Sequence, residues 1–129
     1  MTTDASNKSI KDVLRVYRQS RISAPIVYDS PHSGIINPPD FRPTATDSQL
    51  KTARDAFVDE LIIDSSNLGA AVLVADFPRT YIDPNRSKSE VDISIINGKW
   101  PHDVEVTKKL DVGMGCLLYT SDAADDSRS

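Results

Sequence analysis

Two short stretches hold most of the residues whose types could do chemistry. The first, SPHSG at residues 30–34, sets a histidine among small residues and ends on a glycine. The second, FPRTYIDPNR at residues 77–86, crowds Arg79, Asp83, Asn85 and Arg86 into a short span. Arginine presents a planar fork of donors that meets a carboxylate with two parallel bonds. Asn85 adds an amide donor, and Pro84 stiffens the turn that carries it. A strand that delivers fixed positive charge to its end suits anion binding. The same pattern also suits a surface hairpin whose arginines pair with neighbouring acids, and spacing alone does not separate the two. A nucleophilic serine fits SPHSG poorly, because Pro31 stands where the first glycine of a Gly-x-Ser-x-Gly elbow belongs.

The elements that must position these motifs are an α/β set. Residues 24–28 (APIVY) and 70–77 (AAVLVADF) are apolar runs of strand length. We read the first as a strand buried on both faces and the second as a central strand. His32 then follows the carboxyl end of a strand, where ligands gather in open α/β sheets, and Gly34 permits a sharp turn or a close backbone approach. Between the two strands, Phe57, Val58, Leu61, Ile62 and Ser65 recur at helical spacing, which predicts a helix over 52–67. Thr52 to Asp55 resembles a capping box, and Gly69 is placed as a C-cap. Asp55 and Asp59 share a face of that helix. Acids there suit the helix dipole first, and a metal or catalytic role is the alternative.

Strand, helix and strand in that order predict a βαβ crossover. It would bring His32 and the Arg79 region to one sheet edge if the strands are parallel neighbours. Ahead of it, residues 13–17 alternate with a period of two and predict a half-buried strand. Pro38, Pro39 and Pro43 keep residues 35–44 irregular. Past Pro78, the alternation of Arg79, Tyr81 and Asp83 predicts that the three share one side of a strand. Ile93, Ile95 and Ile96 suggest a brief apolar contact, residues 97–103 a turn, and His102 within it a solvated side chain.

Composition bounds the function classes. A chain of 129 residues with 39% hydrophobic and 26% charged residues is that of one ordinary globular domain. A net charge of −4 argues against nucleic acid as a partner. No run reaches membrane-spanning length, and the N-terminus lacks a hydrophobic signal core, so no membrane partner is expected. A single cysteine excludes an internal disulfide and suggests a cytoplasmic protein. Nothing here fixes an oligomeric state.

The end of the chain stands apart. CLLYTSDAADD at residues 116–126 resembles one reading frame of the transposase-end adapter used in sequencing libraries. An apolar LLY followed by an acid-rich tail matches no element the fold needs. We therefore expect residues 115–129, the cysteine included, to be a non-native tail.

Taken together, SPHSG, DAFVDEL at residues 55–61 and FPRTYIDPNR resemble the N-formylglutamate amidohydrolase family, with the motifs in family order. The resemblance covers about residues 13–98. It implies a relation to zinc carboxypeptidases and aspartoacylase-like deacylases, which have a phosphorylase/hydrolase-like α/β sandwich around a mixed sheet and hold one zinc. Family members are roughly twice this length. The chain is thus expected to be a disordered segment at 1–12, then the truncated N-terminal half of an amidohydrolase domain at 13–114.

Residue by residue, the resemblance implies that His32 is the first metal ligand. Relatives place a glutamate ligand three residues later, but Ile35 stands there, so the second ligand is expected from Asp55, with Asp59 and Glu60 as alternates. A third ligand, a histidine, and a glutamate general base are expected in the missing half, since His102 is no convincing substitute. Arg79, Asn85 and Arg86 match the residues that hold a substrate carboxylate, with Ser33 also on the substrate side and Asp83 orienting one arginine. The implied activity is zinc-dependent hydrolysis of the formamide bond of N-formyl-L-glutamate, a small anionic substrate, in histidine breakdown. Deacylation of another N-acyl acidic amino acid, or carboxylate binding by an inactive remnant, remain open on the same residues.

Overall fold

Small and β-branched residues dominate AVLVA at 71–75, and in the computed structural model they form the middle strand of a three-stranded sheet. The structure describes residues 9–18, 24–43 and 45–111. In chain order these form strands β1 (Leu14–Tyr17) and β2 (Val27–Ser30) and helices α1 (Asp47–Thr52) and α2 (Val58–Ile62). A 3-10 helix at Ile63–Leu68, strand β3 (Ala71–Ala75), a second 3-10 helix at Ile93–Ile95 and helix α3 (Lys108–Asp111) follow. The expected tail at 115–129 lies outside the described residues, as does 1–8 of the N-terminal segment. Residues 10–14 close a turn onto β1, with Ile10 N donating to Leu14 O at 2.7 Å.

The chain divides into two units, one from 1–36 and 54–78 and the other from 37–53 and 79–129. In the first, the strand order is β1-β3-β2. β3 runs parallel to β2, with Ser30 opposite Val74, and antiparallel to β1, with Leu14 opposite Ala75. The sheet is therefore mixed, and β3 is central as expected. Val72 and Val74 are fully buried, and each such side chain contributes about 1.5–3 kcal/mol.

Two expectations need correction. The strand expected at 24–28 lies at Val27–Ser30, and it is an edge strand rather than one buried on both faces: Val27 is 72% exposed. An apolar run reports strand length but not its place in the sheet. The single helix expected over 52–67 is instead irregular at 53–57, followed by the short helix α2 and a 3-10 helix, while α1 lies ahead of it and ends at Thr52. Asp55 N donates to His32 O at 3.0 Å, which takes residue 55 out of any helix, and Phe57 adopts a left-handed φ of 66°. The capping box is real but lies earlier, where Thr46 and Gln49 bond each other's backbone at the start of α1. Gly69 does end the helical segment, with φ 95° and its N–H returned to Ser65 and Ser66.

The second unit contains α1, the 3-10 helix at Ile93–Ile95 and α3. Tyr81 packs edge-on against Phe41 at 5.5 Å and donates its hydroxyl to Asp40 at 2.9 Å, a bond that raises the phenol above its ordinary pKa. The strand expected for Arg79, Tyr81 and Asp83 is replaced by successive turns. Pro78 and Pro84 cannot donate to a ladder, and the Asp83 carboxylate accepts from Asn85 N at 2.9 Å, which closes a local turn instead. His102 is exposed, as expected, with its ring 5.6 Å from that of Trp100.

Candidate functional site

Because β2 and β3 are parallel neighbours, their carboxyl ends share one edge of the sheet, and β1 starts at that edge. SPHSG leaves β2 there. His32 and Ser33 are both buried, and the hydroxyls of Ser30 and Ser33 are 2.7 Å apart. The loop is laid directly on the end of β3: Ile36 N donates to Asp76 O at 2.8 Å. At Gly34 a Cβ would lie only 2.5 Å from the carbonyl carbon of Asp76, so no side chain fits between loop and strand. That close approach is the physical role of the glycine in the motif.

Asp55 is held against this loop by its backbone, and its carboxylate lies 3.4 Å from His32 Nδ1. That separation is longer than an ordinary N–H···O bond of about 2.7–3.2 Å. Two ligands on a tetrahedral zinc, each about 2.0–2.1 Å from the ion, stand about 3.3–3.4 Å apart. A nitrogen and a carboxylate oxygen at this spacing therefore fit two corners of such a site. The imidazole is 9% exposed and the carboxylate 56%, so the pair opens outward on the aspartate side. Among the described residues no group of three or more His, Cys, Asp or Glu side chains is placed to hold an ion, so they do not make a full ligand set.

The alternates are placed differently. Asp59 accepts from Arg15 Nη2 at 3.2 Å, and Arg15 Nε donates to Asp76 at 2.6 Å. Arg15 Nη1 also donates to the Tyr17 hydroxyl at 3.1 Å. Burial lowers the Arg15 pKa, but the bonds to Asp76, Tyr17 and Asp59 outweigh it and hold the guanidinium above its ordinary value. Asp59 and Glu60 border a cavity of about 370 Å³, shared with Ser33, Arg54, Phe57 and Asp76 among others. Its lining includes Ser33 and Arg54, the chain neighbours of His32 and Asp55, but not the pair itself.

Sequence reading missed Arg15 and Asp76. The signal for Asp76 was an acid placed directly after the most apolar run of the chain, where a buried carboxylate needs a cation. Nothing local pointed to Arg15, which is 61 residues from its partner.

In the second unit, Arg79 Nη2 donates to Asp83 at 2.8 Å, and the Asp83 side chain is 1% exposed. Asp83 thus fixes Arg79 and, through its other oxygen, the backbone of Asn85. Arg86 is half-buried, with Nη1 donating to Asn85 O at 3.0 Å.

The sequence model of the N-formylglutamate amidohydrolase family matches residues 24–125, a span that runs into the segment expected to be a non-native tail. The crystal structure of N-formylglutamate amidohydrolase from Ralstonia eutropha JMP134 superposes with a TM-score of 0.76 at 33% identity. The superposition covers 84% of this chain and 38% of that one, so the chain spans well under half the length of its solved relative. No curated protein sequence matches significantly. Among the described residues no helix is long and apolar enough to cross a membrane.

Proposed function

The chain belongs to the N-formylglutamate amidohydrolase family, and from that premise we propose that the full-length protein carrying it hydrolyses N-formyl-L-glutamate to formate and glutamate with one zinc ion. The observation that carries the reading is the buried His32 with the Asp55 carboxylate 3.4 Å from its Nδ1, at the carboxyl edge of a parallel strand pair. That is a ligand spacing at the place where α/β sheets bind. On this reading the fold is of the type found in zinc carboxypeptidases and related deacylases, and the reaction belongs to histidine breakdown.

His32 and Asp55 would hold the metal. Bound there, zinc supplies a water of lowered pKa and a Lewis acid for the formyl carbonyl. The chain's own residues do the rest of what this half contributes. The backbone bond from Asp55 N to His32 O and the fit of Gly34 against β3 fix the two ligands before substrate arrives. Ser33 faces the cavity beside them and presents a hydroxyl to the bound amide. Arg79, oriented by Asp83, and Arg86 with Asn85 take the substrate carboxylates. On this reading the third ligand and the general base come from the part of the family's length that this chain does not span, since it covers 38% of the solved relative.

Formate release from N-formyl-L-glutamate by the purified full-length protein tests the reading. We expect turnover that a chelator abolishes and added zinc restores. Full turnover in protein stripped of metal would sink the zinc assignment. Turnover of another N-acyl acidic amino acid in preference to the formyl compound would move the reading to a different deacylase.

A further inference from the structure

One backbone bond, from Asp55 N to His32 O, ties Asp55 to the His32 loop, but the spacing of the two side chains also depends on where helix α2, which follows Asp55, is held. The helix is five residues long, far below the length at which a helix is stable in water. It buries no residue, and Leu61 is 81% exposed. Its N-terminus has no side-chain cap and begins at a left-handed Phe57. The half-buried Val58 and Ile62 give the helix limited apolar packing, so polar ties add to what fixes α2 on the sheet.

A side-chain ion pair ties the helix to the sheet: Asp59 of α2 meets Arg15 of β1 at 3.2 Å. The same guanidinium bonds Asp76 at the end of β3, and Asp76 is in turn the residue whose carbonyl receives Ile36 N from the His32 loop. Arg15 thus touches both supports of the metal pair: the helix that follows Asp55 and the strand end that carries the His32 loop. The geometry points to Arg15 as a positioning residue that sets the His32–Asp55 spacing by bridging Asp59 and Asp76, an inference that rests on the metal reading above. It makes no contact with the metal or the reacting atoms; it acts through the two acids. The requirement is for a fork rather than for a charge. Nε and Nη2 diverge to two different carboxylates, which a single ammonium cannot do with the same geometry.

The test uses the full-length protein with Arg15→Lys, Asp59→Asn and the double variant. Zinc affinity is read by chelator competition, the coordination sphere by the visible spectrum of the cobalt-substituted protein, and the His32 imidazole by its ¹⁵N signals in the metal-free protein. Melting of the metal-free protein is followed in parallel. We expect each single variant to bind zinc about 10–100-fold more weakly, the range typical for groups that orient ligands. The cobalt bands and the His32 signals should shift with it. The double variant should be no worse than the weaker single, because both break the same bridge.

A fall in melting temperature with unchanged zinc affinity, cobalt spectrum and His32 signals would overturn the inference and leave Arg15 a purely structural residue. If Arg15→Lys does not fold, Asp59→Asn decides, since it leaves the Arg15–Asp76 bond in place. A wild-type protein that takes up neither zinc nor cobalt would instead refute the metal reading. The His32 signals of the variants then still show whether the bridge positions the imidazole.

Discussion

Replacing His32 by alanine in the full-length protein is expected to remove zinc and, with it, turnover of N-formyl-L-glutamate. Structural zinc sites bind with about 10–16 kcal/mol shared among about four ligands, so loss of one costs on the order of 3–4 kcal/mol. That is about 10²–10³-fold in affinity, enough to empty the site at ordinary metal concentrations. Asp55→Asn should weaken binding less, because the amide keeps an oxygen at the same place and loses only the charge. Both effects are read together by metal analysis and by formate release. His32 is buried and its backbone carbonyl is bonded to Asp55, so a purely structural histidine would give a different pattern. The variant would then melt earlier yet retain its zinc stoichiometry.

The second large effect is expected at Arg79 and Arg86, and it concerns the substrate rather than the metal. Lysine at either position keeps the charge but cannot form two parallel bonds to a carboxylate. Losing a charge-assisted pair in a dry site costs about 2–5 kcal/mol, or roughly 30- to several-thousand-fold in kcat/KM. At position 79 a lysine can still meet Asp83, which holds the native guanidinium at 2.8 Å, so the fold should survive. The loss should be large for N-formyl-L-glutamate and small for whichever mono-amide, α or γ, lacks the matching carboxylate. Equal proportional losses on the diacid and both amides would remove that arginine from the substrate site. This comparison also separates anion binding from the hairpin ion pairing that the sequence alone left open.

Much of this arrangement was legible in the chain. β3 stood out because a run of five small and branched residues has the length and composition of a buried strand and little else. The parallel pairing with β2 followed from the spacing of the two runs, and Gly69 ended its helical segment because glycine takes the left-handed C-cap conformation without strain. Other features depended on contacts between distant residues. Helix α2 is cut short by the bond from Asp55 to the His32 carbonyl and by Phe57, and neither is written in the periodicity of 52–67. The exposure of β2 is a matter of sheet order, which composition does not encode. Arg15 and Asp76 were missed for the same reason. Asp59, read as a possible ligand because it shares a face with Asp55, turned out to be paired with Arg15.

The central claim is that one metal ion joins His32 to Asp55. Anomalous diffraction at the zinc edge, from crystals of the full-length protein, tests it directly. The account predicts one peak about 2.0–2.2 Å from His32 Nδ1 and from an Asp55 carboxylate oxygen, with further ligands from outside the residues described here. A zinc peak remote from His32, or one bound by His32 with Asp55 turned away and Asp59 or Glu60 in its place, would contradict it.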